Sequence, residues 1–283
     1  MSAPTQAASA VTRAPAAAAE RRGGPASRRR SAAQSGLRWV SPLAIILLWQ
    51  LASSTGVLPE DTLASPAQIA QTAVELTESG QLPEALLISL QRAMLGLVLG
   101  TIVAVLAAVV AGTSRAGDVI IDPPMQMIRT VPLFGLVPLF ILWFGIGETP
   151  KVLLVALGVV VPLYLNLHAA LRDVDPELLE VAQTLKLSRT QRWRHVVIPA
   201  VLPSALVGFR QSLGIAWLAL IVAEQIAASA GLGYMINNAR DFLQTDIIVV
   251  GLLAYAVLGL ITDAIVRALE RRALRYRDEG VTA

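Results

Sequence analysis

From about residue 39 onward, long apolar runs alternate with short polar stretches, at about 39–55, 85–111, 119–145, 151–170, 200–223 and 247–268. A hydrocarbon layer of roughly 30 Å takes about 20 apolar residues of helix to cross. Six crossing helices follow, in a single all-α polytopic domain at 37–272. The first run, WVSPLAIILLWQLASST, is the shortest and is framed by Arg38 and Trp39. Residues 57–84 hold Glu60, Asp61, Glu75, Glu78 and Glu84 with no Lys or Arg, and are expected outside. Residues 1–36, rich in Ala, Arg, Ser, Pro and Gly, contain no apolar core for a signal peptide. They are expected to form a disordered cytoplasmic tail whose arginines can touch anionic membrane lipid. Residues 273–283 are expected to form a second cytoplasmic tail.

Composition supports the membrane assignment: 55% of residues are hydrophobic and 15% charged, where soluble domains carry about a quarter charged. Cysteine is absent, and the two histidines are His168 and His195. These exclude disulfides, thiolate metal sites and a histidine cluster, so no metal site is expected. The net charge of +3 raises nucleic acid as a partner, but the placement of the basic residues argues otherwise. With the N-terminus inside, the inner side collects seven arginines before Trp39, then Arg115, then Arg172, Lys186, Arg189, Arg192 and Arg194, then Arg267, Arg271, Arg272, Arg275 and Arg277. The outer side holds Lys151 and Arg240. Cytoplasmic loops are enriched in Lys and Arg, so both termini are expected in the cytoplasm and no nucleic acid is required.

Two features inside the spans bear on a pathway. The third run, IDPPMQMIRTVPLFGLVPLFILWFG, carries prolines at 123, 124, 132 and 138 and repeats V-P-L-F. Proline removes a backbone donor and kinks a helix, which in lipid is tolerated where other helices or a water-filled cavity satisfy the freed groups. This makes Pro132 and Pro138 candidates for a pathway-lining or gating segment, against ordinary kinked packing. Polar side chains in hydrocarbon are costly and tend to face a cavity, so Arg92, Arg210 and Gln211 are further candidates, with Glu224 and Asn166 nearer the span ends. Each arginine alternatively snorkels or pairs with a carboxylate or carbonyl.

The stretch EVAQTLKLSRTQRWRHVVIPAVLP interrupts this pattern. Asp175-Pro176-Glu177 is a helix start, with Asp as N-cap, Pro at the first position and an acid in the first turn. Leu178, Ala182 and Leu185 then form one apolar stripe. Ser188 with Gln191 three residues later reads as a capping box that opens a second short helix, ending towards Pro199. The insert at 173–198 is thus expected to be two short amphipathic helices on the cytoplasmic face. Their apolar stripe packs beneath the bundle or docks on another protein.

These residues carry a resemblance. The pattern E-x-A-x(3)-G followed by I-x-L-P is the cytoplasmic loop signature of permease subunits of bacterial ATP-binding-cassette importers. Glu180, Ala182, Ile198 or Val201, Leu202 and Pro203 match it, while Lys186 stands where that signature usually has Gly. The stretches SLQRAMLG, LFILWFGIGE and LIVAEQIAASAGLGYMINNARDFLQTDIIVV resemble the subgroup that imports aliphatic sulfonates, taurine and nitrate, and look closest to aliphatic-sulfonate permeases. The resemblance implies a type I importer permease fold and a coupling helix at Glu180, Ala182, Leu185 and Lys186 that fits the ATP-binding subunit. It also implies the partners: two ATP-binding subunits, a second permease subunit, most simply the same chain, and an extracytoplasmic substrate-binding protein. Import of taurine, nitrate or a thiamine precursor is the alternative within the same class.

A phosphate-binding loop needs a Gly-rich turn ending in Gly-Lys-Ser/Thr. The two lysines follow Pro150 and Leu185, so ATP and its Mg ion are expected on the partner, and this chain is not expected to be an enzyme. Gly231-Leu232-Gly233 lacks the third glycine and preceding strand of a dinucleotide site and reads as a tight external loop. An ion-driven secondary transporter would call for paired intramembrane acids or inverted halves. An intramembrane enzyme would call for a Ser/His/Asp or metal constellation. Neither pattern is present.

Overall fold

The computed structural model describes residues 25–59 and 62–274. The chain divides into two units, Met1–Trp49 and Gln50–Ala283. Among the described residues the first unit is most of helix α1 (Pro25–Ser54). Helix therefore begins within the stretch expected as a disordered tail; residues 1–24 of that tail lie outside the described residues. The apolar part of α1, Val40–Ser54, is too short to meet the length of a full crossing.

In the second unit the order is α2 (Pro66–Glu78), α3 (Gln81–Thr113), α4 (Arg115–Thr130), a 3₁₀ turn (Leu133–Leu136), α5 (Val137–Phe144), α6 (Glu148–Arg172), α7 (Pro176–Thr184), α8 (Arg189–Arg192), a π turn (Trp193–Val197), α9 (Ile198–Ala227), α10 (Leu232–Asp241) and α11 (Thr245–Ala273). Helices α3, α6 and α11, and the run from Arg189 to Ile226, are long and apolar enough to cross. Residues 275–283, which include Arg275 and Arg277, lie outside the described residues, as do Glu60 and Asp61.

Helix α6 is almost wholly apolar over residues 152–165 and packs between α3 and α9. The α3 face against it is made of small residues, Gly96, Gly100, Ala104 and Ala108, at four-residue spacing. A Cβ at Gly100 would lie 2.5 Å from the Ala156 carbonyl oxygen. Backbones packed this closely gain dispersion contacts that lipid cannot supply. Around this layer the core gathers Leu97, Val155, Val159, Trp217, Leu220 and Tyr255.

The third apolar run is not one kinked helix. It breaks between α4 and α5, whose axes differ by 95°. Val131 leaves the helix with an extended ψ because a residue before proline is pushed out of the α region, and Pro132 after it is extended too.

Pro199 does not end the insert either. The backbone widens to a π turn over Trp193–Val197 and passes directly into α9. A proline ring clashes with the carbonyl four residues back in a regular helix, and a π turn displaces that carbonyl. Two helices went unforeseen. α2 starts at the Ser65-Pro66 cap and buries Ile69, Thr72 and Leu76. α10 occupies the expected external loop and buries Leu232, Ile236 and Ala239.

Candidate functional site

At the end of the bundle opposite the basic insert, four helices, α3, α9, α10 and α11, meet at one carboxylate. Glu224, at the end of α9, is fully buried. Its oxygens accept from Arg92 Nη1 on α3 at 2.6 Å, from Ser89 Oγ at 2.8 and 2.9 Å, from the Gly233 N–H at 2.9 Å and from the Tyr255 hydroxyl on α11 at 2.5 Å. Ser89 Oγ also accepts from the Leu232 N–H at 2.9 Å. The first turn of α10, whose amides have no partner within their own helix, is thus capped by side chains of α9 and α3. Arg92, 4% exposed, further donates to Glu148 at 2.5 and 2.7 Å and to the Ala230 carbonyl at 2.7 Å. Lys151 adds a bond to Glu148 at 2.9 Å. Gly231 turns the chain into α10 at φ +100°, and a Cβ there would fall 2.6 Å from both Arg92 Nη1 and Glu224 Oε1, so only glycine fits. The three stretches SLQRAMLG, GIGE and AEQIAASAGLG converge on this clasp.

At mid-depth a cleft of about 380 Å³ opens beside the break in the third run. It is walled by Ile128, Arg129, Val131 and Leu133 on one side, and by Gly158, Pro162, Asn166, Gln211 and Ile215 on the other. Asn166 Nδ2 donates to the Pro162 carbonyl at 2.8 Å and to Gln211 Oε1 at 3.1 Å. Gly208 lets α9 come within contact of the Asn166 side chain.

At the basic end, α4 is tied to α6 by a second polar group. His168 lies 2.9 Å from Asp118 and 3.5 Å from Asp122 and stacks on Tyr164, whose hydroxyl donates to Asp122 at 3.2 Å. Arg172 pairs with Asp118. His168 is therefore a buried, hydrogen-bonded histidine, and His195 is an exposed one bonded to the Gln191 carbonyl at 3.0 Å.

The insert folds as the local signals indicate. Asp175 caps α7 through the Glu177 N–H, and Ser188 and Gln191 form a complete capping box. Helix α7 ends with the Leu187 N–H bonded to the Ala182 carbonyl and the Lys186 N–H to the Gln183 carbonyl, a Schellman ending that places its next residue in the left-handed region. That residue is Lys186, at φ +52°. A side chain there costs about 1 kcal/mol or more relative to glycine. Lys186→Gly is expected to raise the melting temperature of the purified chain, and a lower value would contradict the turn geometry.

The expected site residues divide. Gln211 lines the cleft. Arg92 does not, being consumed by the clasp, and Arg210 does not, because it pairs with Asp263 at 2.9 Å, which also takes Arg267 at 2.7 Å. Both follow the pairing alternative. Pro132 and Pro138 frame the break, at the start of the 3₁₀ turn and in the first turn of α5, without lining the cleft. Arg129 and Gly158 line it as well; the signal the sequence held was a basic residue within the third apolar run.

In the insert, Ala182 is 1% exposed and faces its own bundle, so it is not part of an outward stripe. The outward apolar residues are Leu178 at 49%, Val181 at 55% and Leu185 at 67%, with Glu180 and Lys186 exposed beside them. Ile198 is exposed at the start of α9, while Leu202 and Pro203 lie half-buried within it.

Known proteins resemble this chain in fold and in sequence. An amino acid ABC transporter crystallised with histidines superposes with a TM-score of 0.56 at 18% identity, over 70% of this chain and 97% of its own, which establishes likeness of fold. Bacillus subtilis strain 168 has a relative named as an aliphatic sulfonates transport permease protein, SsuC, 44% identical over 89% of this chain and 90% of its own length. The taurine transport system permease protein TauC of Escherichia coli strain K12 is 32% identical over 85% of this chain and 90% of its own. The family model described as binding-protein-dependent transport system inner membrane component matches residues 96–275, from the small-residue face of α3 through α11, and this chain belongs to that family.

Proposed function

We propose that this chain is the transmembrane subunit of an ATP-driven, binding-protein-dependent importer of aliphatic sulfonates in a bacterial inner membrane. The observation that carries this is the 44% identity to SsuC over nearly nine-tenths of the chain, against 32% to the taurine permease. Two such subunits pair, two ATP-binding subunits hold ATP and Mg and carry out hydrolysis, and an extracytoplasmic protein delivers the substrate. The basic insert and both termini are cytoplasmic, in keeping with the distribution of Arg and Lys. The exposed Leu178, Val181 and Leu185 supply the face for the ATP-binding subunit. Pairing of two permease chains is supported by the bare Gly214 on an exposed face of α9, since small residues let membrane helices approach closely.

Deleting the gene should abolish growth on alkanesulfonates as sole sulfur source and leave growth on sulfate intact. In the same strain, restored with Ser188→Cys, an impermeant maleimide should label the chain only after lysis. A deletion strain that thrives on alkanesulfonates but fails on taurine, nitrate or a thiamine precursor would move the assignment to that substrate. Labelling in intact cells would reverse the orientation.

A further inference from the structure

We infer that Arg129, with the Gln211 amide across the cleft, forms the anion site of the translocation pathway, and that Arg129 is the residue that lets a sulfonate cross. The inference rests on the sulfonate importer assignment. A sulfonate is the anion of a strong acid and stays charged throughout the accessible pH range, so it cannot cross as a neutral molecule. A pathway for it must offer positive charge or donors at the depth where water is scarce.

Of the three arginines in the apolar part of the chain, two are spent. Arg92 is neutralised by Glu148 and Glu224, and Arg210 by Asp263. Arg129 has no carboxylate or hydrogen-bond partner among the described residues, and no Asp or Glu lines the cleft it faces. An uncompensated cation in the middle of a membrane protein is expensive and marks a polar path.

Its position supports the same conclusion. Arg129 stands in the last turn of α4, one residue before the helix ends and the chain turns by 95°. Non-helical backbone at membrane depth is tolerated where it is buried in protein or lines a water-filled cavity. Across the cleft, Asn166 spends both N–H bonds of its amide, on the Pro162 carbonyl and on Gln211 Oε1. The Gln211 amide is thereby held by its oxygen, which leaves its two N–H donors directed elsewhere. A guanidinium and an amide donor pair suit three sulfonate oxygens, and Leu133, Gly158 and Ile215 supply an apolar lining for the alkyl tail.

The test uses the assembled transporter, with its ATP-binding subunits and binding protein, in proteoliposomes taking up radiolabelled ethanesulfonate. Arg129→Gln is expected to slow uptake by about tenfold or more, Arg129→Lys to restore it to within about threefold, and Gln211→Leu to slow it several-fold, as loss of charge and donors along a low-dielectric path requires. Arg129→Gln at the wild-type rate overturns the inference while the sulfonate assignment stands. Arg129→Lys no faster than Arg129→Gln at equal membrane level overturns it too, since shape rather than charge would then be at issue. If Arg129→Gln fails to assemble, the Arg129→Lys and Gln211→Leu rates decide: uptake that is slowed by Gln211→Leu and kept by Arg129→Lys supports the site, and any other pattern overturns it. A wild-type transporter that ignores ethanesulfonate removes the assignment and the inference together.

Discussion

Glu224→Ala should leave little folded chain in the membrane. The carboxylate is fully buried and receives Arg92, Ser89, Tyr255 and the Gly233 amide. Its loss leaves the buried guanidinium with one of its two carboxylates, Glu148, and uncaps α10 in one step. Breaking a buried pair by removing one partner costs about 3–5 kcal/mol, a large part of the 5–15 kcal/mol that typically separates folded from unfolded protein. The melting temperature of the detergent-purified chain and its yield report the loss. Glu224→Gln should be milder, because the remaining oxygen of an amide of the same shape can still accept from Arg92 and Ser89, while the donors that would face its NH2 at Tyr255 and Gly233 go unpaired. A melting curve for Glu224→Ala within error of the parent would show that the clasp contributes nothing to stability.

Leu178→Asp and Leu185→Asp should each abolish copurification of the ATP-binding subunits and, with it, ATP-dependent uptake, while the chain itself inserts and melts normally. Leu178 is half-exposed and Leu185 mostly so, so a carboxylate at either position can reach water in the isolated chain and costs it little. In a docked interface the same carboxylate is desolvated without a partner, and truncating or charging a central contact commonly costs about 2 kcal/mol or more of binding. Ala182→Asp should behave in the opposite way: at 1% exposure it would place an unpaired charge inside the chain's own packing and lower stability before any partner is involved. Normal uptake by Leu178→Asp and Leu185→Asp at wild-type levels would remove α7 from the docking surface.

The difference between Ala182 and its neighbours shows where sequence patterns lose resolution. Leu178, Ala182 and Leu185 fit a helical stripe, but so do Leu178, Val181 and Leu185, and alanine is small enough for either face. Only the contact of α7 with the rest of the chain chooses. Signals that act within a few residues were fully legible: Asp175-Pro176 and the Ser188–Gln191 box both depend on local backbone chemistry. Prolines were legible as disruption but not as outcome, since the same residue type produced a 95° break at Pro132 and a π turn before Pro199. The partners of Arg92 lay beyond pattern reasoning altogether. Glu224 is 132 residues away in sequence, and nothing in the local composition of either segment announces the pairing. The three stretches carry the resemblance separately, and the Arg92 guanidinium between Glu148 and Glu224 is what joins them.

The absorption of Pro199 by a π turn has a mechanical consequence. Because the helix does not stop there, Arg189 to Ile226 forms one rod of 38 residues, roughly 57 Å long at about 1.5 Å per residue. Its lower end begins within a few residues of Leu185, and its upper end carries Glu224 and the cap of α10. Such a rod works as a lever. A tilt of about 10° at the insert displaces the far end by roughly 10 Å over that length. A tilt imposed at the insert is therefore expected to reach the Glu224 clasp at the far end of the same continuous helix.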